Sequence, residues 1–155
     1  MIKTRIAVMA LALSFMAASA CFAANPHIGT WKLNEAKSKF APGMGKNSMV
    51  TYTEEKDKIK VTVEGVDKDG KPTHGVWVGH ADGKTYNMKG NLAWDAAAYK
   101  VVNDHTYEIT TMKGGKVISN GKSTVSADGK SRTVAMEVTG ADGKKFKAKT
   151  VYDKE

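Results

Sequence analysis

Apolar and polar residues alternate with a period of two through most of the chain. Ile59, Val61 and Val63 fall between Lys58, Lys60, Thr62 and Glu64, and Phe146, Ala148, Thr150 and Tyr152 are set against Lys145, Lys147 and Lys149. Successive side chains of an extended strand point to opposite faces, so the pattern predicts strands with an apolar inner face and a lysine-coated outer one. Segments of this character run over 49–54, 58–64, 73–80, 85–89, 96–102, 106–113, 116–126, 132–139 and 145–152, and 30–33 makes a tenth. Asp69-Gly70, Asp82-Gly83, Gly114-Gly115, Asp128-Gly129 and Asp142-Gly143 lie between them. Such pairs tolerate the positive φ angles of tight hairpin turns. A further pair, Asn120-Gly121, falls within 116–126, where a bulge inside one long strand fits better than another turn.

Short connections make sequential strands antiparallel, because a parallel crossover needs about a dozen residues or more. No helical stretch is available to cover a sheet. The predicted fold class is therefore all-β: a ten-stranded antiparallel up-and-down barrel, with a short or absent helical lid, that closes on itself and so removes its exposed edges. A flattened two-sheet sandwich is the alternative.

Extending the alternation places Val50, Tyr52, Trp77, Tyr86, Met88, Ala97, Tyr99, Tyr107, Ile109, Val134, Met136 and Val138 inside. Either face of 73–80 could be the inner one. Trp77 is assigned to the interior because Gly75 and Gly79 on the same face make room for its ring. Ten strands enclose more space than eight, and Ala, Thr and Val fill it poorly. Tyr and Trp with polar tips, and deformable Met, are typical of a pocket for an amphipathic or apolar molecule. Trp77, Tyr86, Tyr99, Tyr107, Met136 and Tyr152 are accordingly the candidate ligand-binding residues. The competing possibility is that the same aromatics pack a collapsed core.

Composition supports strands and turns. From residue 25 onward there are 13 Val and 13 Thr against two Leu, Leu33 and Leu92, and all 15 Gly lie there. Residues 1–24 read differently. Lys3 and Arg5, an apolar run over 6–16 and small residues over 17–24 have the three regions of a cleaved signal peptide. The apolar run is shorter than the roughly 20 residues a spanning helix needs. Residues 25–155 are thus expected to form one soluble β-barrel domain, periplasmic or secreted. Cleavage after Ala20, after Ala23 or just before Asn25 decides whether Cys21 survives. The segment Ala18-Ser19-Ala20-Cys21 is similar to a bacterial lipobox with Ala where Leu is usual, which leaves a lipid anchor as the minor alternative. With a single Cys no disulfide forms within the chain, so a packed core must hold the fold.

Without Lys3 and Arg5 the chain keeps 22 basic against 16 acidic residues, a formal charge of +6. The lysines are dispersed, and Arg132 is the single arginine of that part. Recognition of bases and phosphates favours clustered Arg, so no nucleic-acid partner is expected; weak attraction to anionic envelope surfaces is. His74 and His80 are six positions apart on one predicted strand, roughly 20 Å, too far to share a metal. Asp104-His105 sits at a strand start and reads as turn chemistry rather than an acid-base pair, and no nucleophile elbow, phosphate loop or paired-carboxylate motif is present. No metal, no cofactor and no catalysis are expected.

The run His27-Ile28-Gly29-Thr30-Trp31-Lys32-Leu33 resembles the Gly-x-Trp opening of lipocalins, and more closely the Gly-Thr-Trp-Lys-Leu opening of intracellular fatty-acid-binding proteins. Lys149-Thr150-Val151-Tyr152-Asp153-Lys154 is similar to the closing strand of the second family, and bacterial exported lipocalin-like domains share the general layout. The resemblance implies a calycin-like closed barrel that holds a lipid-like ligand. It has departures. Thr150 stands where that family places the Arg of its carboxylate clamp, although Tyr152 keeps a hydroxyl to donate, and 34–48 contains Pro42, Gly43 and Gly45 and holds at most a short helix, so the mouth is expected to be open. Lipocalins stack an Arg over the motif Trp at the barrel base. This implies a base plug at Trp31 and makes Arg132, at the same end on the ninth strand, the only candidate partner, although strand ten lies between them and argues against a direct contact.

The sequence thus predicts a monomeric, non-enzymatic periplasmic protein that binds a small hydrophobic or amphipathic ligand in its lumen. The alternative is a filled barrel that meets anionic envelope polymers or a protein partner through its lysine-rich surface.

Overall fold

The computed structural model describes residues 24–155. The expected signal segment, apart from Ala24, and Cys21 within it lie outside the described residues. Ten strands follow one another: β1 (Gly29–Lys39), β2 (Lys46–Glu55), β3 (Lys58–Val66), β4 (Pro72–Gly79), β5 (Asp82–Gly90), β6 (Ala96–Asn103), β7 (Thr106–Lys113), β8 (Lys116–Val125), β9 (Ser131–Thr139) and β10 (Lys145–Lys154). Each pairs antiparallel with its sequence neighbours, and β1 also pairs with β10, which closes the ring. Trp31 lies opposite Val50 on one side and Lys154 on the other. No strand is left with an unpaired edge, and the described residues contain no helix.

Three local expectations are corrected. β1 does not stop at Leu33 but runs on to Lys39, so no lid helix follows it. Its second half is irregular, with a register shift against β10 between Asn34 and Lys39. Polar side chains hold it there: Asn34 Nδ2 donates to Asp153 at 2.8 Å, and the Val151 amide donates to Ser38 Oγ at 2.9 Å. Asp82-Gly83, expected to be a turn, opens β5 instead. Gly83 has a φ of 82°, and the register against β6 slips between Asp82 and Thr85, so the pair forms a bulge. A bulge uses the same positive-φ tolerance as a turn, which is why the dipeptide alone does not distinguish them. In β8 the long strand is as expected, but its irregularity is not at Asn120-Gly121, which pair regularly with Thr110 and Ile109. The slip lies at Ile118, between the pairs Thr111 to Ser119 and Met112 to Val117.

The core is not spread evenly around the ring. On the β4 and β5 side Trp77 is fully buried and its Nε1 donates to the Ala97 carbonyl at 3.1 Å. Its flanking glycines are needed for that packing. A Cβ at Gly75 would come within 2.6 Å of Leu92, and one at Gly79 within 2.7 Å of the Tyr86 ring. Val61, Met88, Ala97 and Tyr99 complete this filled side. On β9 the inward row Val134, Met136 and Val138 remains only partly buried, although the pairing places it inside the barrel. The space these three border is empty.

Candidate functional site

That space is a cavity of about 480 Å³, within the ~300–1,000 Å³ usual for small-molecule sites. A fully collapsed core is therefore not what these strands build. Its walls are Val50 and Val63 from β2 and β3, Ile109 and Thr111 from β7, Ile118 from β8, and Val134, Met136 and Val138 from β9. Neither β4 nor β5 contributes, because Trp77 occupies their side. The mouth is formed by loops: Pro42 to Gly45 between β1 and β2, Ala93 and Trp94 between β5 and β6, and Gly140 and Ala141 between β9 and β10. At the opposite end the cavity meets Tyr52, Tyr99, Arg132 and Tyr152.

This floor is closed from below by residues far apart in sequence. An Asn25-centred turn, in which the His27 amide donates to Asn25 Oδ1 at 3.0 Å, folds His27 under the barrel. Trp31 is fully buried, and its indole Nε1 donates to the His27 carbonyl at 2.9 Å. The His27 ring stacks on Tyr107 with 3.7 Å between centroids, and Asn25 Nδ2 donates to the Tyr107 hydroxyl at 2.8 Å. Burial, reinforced by the nearby charges of Arg132 and His105, pushes the His27 pKa down to about 4, so its ring is neutral at pH 7.

Arg132 stands in the middle of the floor. Its guanidinium carbon lies 4.7 Å from the Tyr52 ring centroid, 5.0 Å from that of Tyr152 and 5.9 Å from that of Trp31. Arg132 therefore does approach Trp31, although the intervening strand β10 argued against that contact. Three aromatic faces attract the cation but accept none of its N–H groups in a conventional hydrogen bond. Nε and Nη1 of Arg132, the Tyr52 hydroxyl and Ser123 Oγ are all buried without a hydrogen-bond partner. Burial raises the phenol pKa values of Tyr99 and Tyr152, against a smaller opposing effect of the Arg132 charge, so both remain O–H donors at neutral pH.

Of the six residues singled out from the sequence, Tyr99, Met136 and Tyr152 border the cavity. The other three do not. Trp77 is spent in packing, Tyr86 stands half-buried edge-on to Trp77 with its hydroxyl donating to Asp82 at 3.0 Å, and Tyr107 belongs to the base plug. Alternation told inside from outside but not filled from empty. Trp94 escaped notice because it sits in a loop, where alternation says nothing, and Ile118 because the bulge shifts the parity of β8. Arg132 was visible as the single arginine of residues 25–155, but only as a structural contact of Trp31.

The histidines are scattered: His74 and His80 lie on the outside, 3.8 Å and 3.9 Å from Glu64 and Asp57, and among the described residues no three metal-ligating side chains come together.

No protein-family model and no curated protein matches the chain. Among solved structures it is similar to designed barrels. One described as a redesigned beta barrel, mFAP1, bound to DFHBI is 16% identical with a TM-score of 0.46, the match covering 83% of this chain and 95% of that one. EF1p2_mFAP2b bound to DFHBI is 11% identical with a TM-score of 0.49 and coverages of 86% and 97%. A third, described as the de novo design of a fluorescence-activating beta barrel, is 14% identical with a TM-score of 0.43 and coverages of 83% and 93%. At these identities and TM-scores the likeness carries no function across.

Proposed function

We propose that the protein is an exported, non-enzymatic binding protein that holds one small amphipathic molecule in its lumen. The observation that carries this reading is the cavity of about 480 Å³, apolar along its walls, closed at one end and bounded by loops at the other. An apolar cavity of this size lowers stability through lost packing, a cost that a protein selected only to fold would remove by placing larger side chains there. Val134, Val138 and Thr111 on its walls are small where Leu or Phe would fill the space. Export is supported by the signal-like residues 1–24, and a monomer by a closed ring whose strand edges are all paired.

Fluorescence titration with N-phenylnaphthylamine, together with native mass spectrometry of the freshly purified protein, tests the reading. Saturable probe enhancement at one molecule per chain is expected, lost in Met136→Trp, which fills the lumen from its wall. No co-purifying mass and no probe enhancement in the wild type would sink it. The surface reading instead requires salt-sensitive capture of envelope polymer that Met136→Trp leaves unchanged.

A further inference from the structure

On the outside of the barrel the tertiary structure gathers lysines that the sequence disperses. The pairing of four neighbouring strands lines up Lys122 of β8, Ala135 of β9, Lys149 of β10 and Lys39 of β1 in one cross-strand row. At ~4.8 Å per strand interval the row is about 14 Å long, and Lys147, two positions along β10 from Lys149, lies on the same outer face. These lysines are all exposed, and among the described residues none of them forms an ion pair. Two carboxylates stand opposite members of the group without neutralising it. Glu137, opposite Lys147, is held by Lys145 at 2.8 Å, and Glu108, opposite Lys122 on β7, pairs with no lysine. Like charges directly opposite one another on neighbouring strands repel, so Lys149 facing Lys39 costs stability that a neutral residue at either position would spare. An anion laid across the row removes that cost.

We propose that this outer face of β8, β9, β10 and β1, independently of the lumen, docks a linear polycarboxylate, an anionic glycan with one carboxylate per sugar. Its charges recur on the scale of the strand spacing, so successive carboxylates meet Lys39, Lys149 and, beyond Ala135, Lys122. The short side chain of Ala135 leaves a shallow trough between Lys122 and Lys149 for the chain, and Asn120, Thr124 and Thr133 beside it offer amide and hydroxyl groups to sugar hydroxyls. A lysine ammonium is a compact, strongly hydrated point charge, suited to carboxylates that stay wet. Other anionic partners fit this face less well. The single arginine of residues 25–155, Arg132, is buried on the inner side, so no guanidinium fork is available for phosphates. None of the outward positions of β8, β9 and β10 is aromatic, which leaves nothing for a nucleic-acid base to stack on, nothing to insert into a bilayer and no anchor for a protein partner.

The test separates the row from the net charge of the protein. Calorimetric titration with oligomannuronate at low ionic strength compares the wild type with two triple variants of equal charge, each checked for a native circular dichroism spectrum. One is Lys39→Gln/Lys122→Gln/Lys149→Gln; the other, Lys58→Gln/Lys84→Gln/Lys89→Gln, removes three exposed lysines from β3 and β5 that also lack ion pairs. The wild type is expected to bind and to lose affinity as salt is raised. The row variant should lose about ten-fold or more, the joint contribution of three surface charge contacts, and the control less than about three-fold. Phosphatidylglycerol vesicles and single-stranded DNA, which sense only the net charge, should be weakened equally by the two variants. No binding of oligomannuronate to the wild type, or equal losses in both variants, overturns the proposal. A row variant that selectively loses vesicles or DNA while keeping oligomannuronate overturns it too, by assigning the face to that partner. N-phenylnaphthylamine, which reads the inner face of β9, should bind both variants as it binds the wild type, so failure on the outer face leaves lumen binding standing.

Discussion

The two ends of this barrel are built on opposite principles. At the base, Asn25, His27, Trp31 and Tyr107 interlock through a stacked pair, two hydrogen bonds and a fully buried indole, tying the first residues of the domain to a strand some eighty positions later. At the mouth, Gly43, Gly45, Ala93, Gly140 and Ala141 carry little or no side chain, and the larger Pro42, Met44, Lys68 and Trp94 border the opening without closing it. Both ends are made of loops on the same ring of strands. The difference is side-chain volume: bulky residues close an end that glycine and alanine leave open, and the cavity survives between them.

If the base is a rigid plug, the largest effect comes from removing its centre. Trp31→Ala should cost about 3–5 kcal/mol of stability, measured by urea unfolding, because a fully buried ring and its bond to the His27 carbonyl are both lost. A loss below about 1 kcal/mol would show that the base is not what holds the barrel closed. Acid should come next. The native state resists the proton that the unfolded chain takes up at His27, so stability should be full above pH ~6.5 and fall as the pH drops toward 4, by roughly 2–3 kcal/mol. His27→Phe, which keeps the stack on Tyr107 without a titrating group, should flatten this slope. A smaller effect, about 1 kcal/mol, is expected for Tyr107→Phe, which removes the hydroxyl that accepts from Asn25 and should leave probe affinity unchanged. Trp94→Ala should have the smallest effect on stability, under about 1 kcal/mol for a half-buried loop residue, yet weaken N-phenylnaphthylamine binding several-fold. Equal stability losses for Trp31→Ala and Trp94→Ala would erase the contrast between base and mouth.

Much of the fold was legible because it is repetitive. The period-two rows of β3 and β10 sorted inner from outer faces, and the short connections left an antiparallel meander as the simplest topology. What failed were features whose local signal has two meanings. Asp82-Gly83 satisfies a turn or a bulge equally well, and only the pairing of β5 with β6 selects the bulge. Asn34 and Ser38 read as loop residues until β10 supplies the partners that hold β1 extended. The same holds for the site. Alternation points all six candidate residues inward, but Tyr99, Met136 and Tyr152 border the cavity whereas Trp77, Tyr86 and Tyr107 do not.

The sequence by itself determined, for most strands, which residues face inward, and that ten strands would form, because these depend on alternation and on short-range turn chemistry; the tryptophan plug at one end was implied only by the resemblance of the opening motif. The tertiary structure alone decided which inward residues meet one another and which face empty space. Trp77 fills its side of the ring because Gly75 and Gly79 stand beside it and Leu92 and Tyr86 cross over them, while β9 has no equivalent bulk opposite it. Arg132 could be read along the chain as a contact for Trp31, but its lack of a counter-ion appears only once every neighbouring strand has taken its place around it. Side-chain direction is set locally, whereas packing and charge compensation are sums over strands distant in sequence.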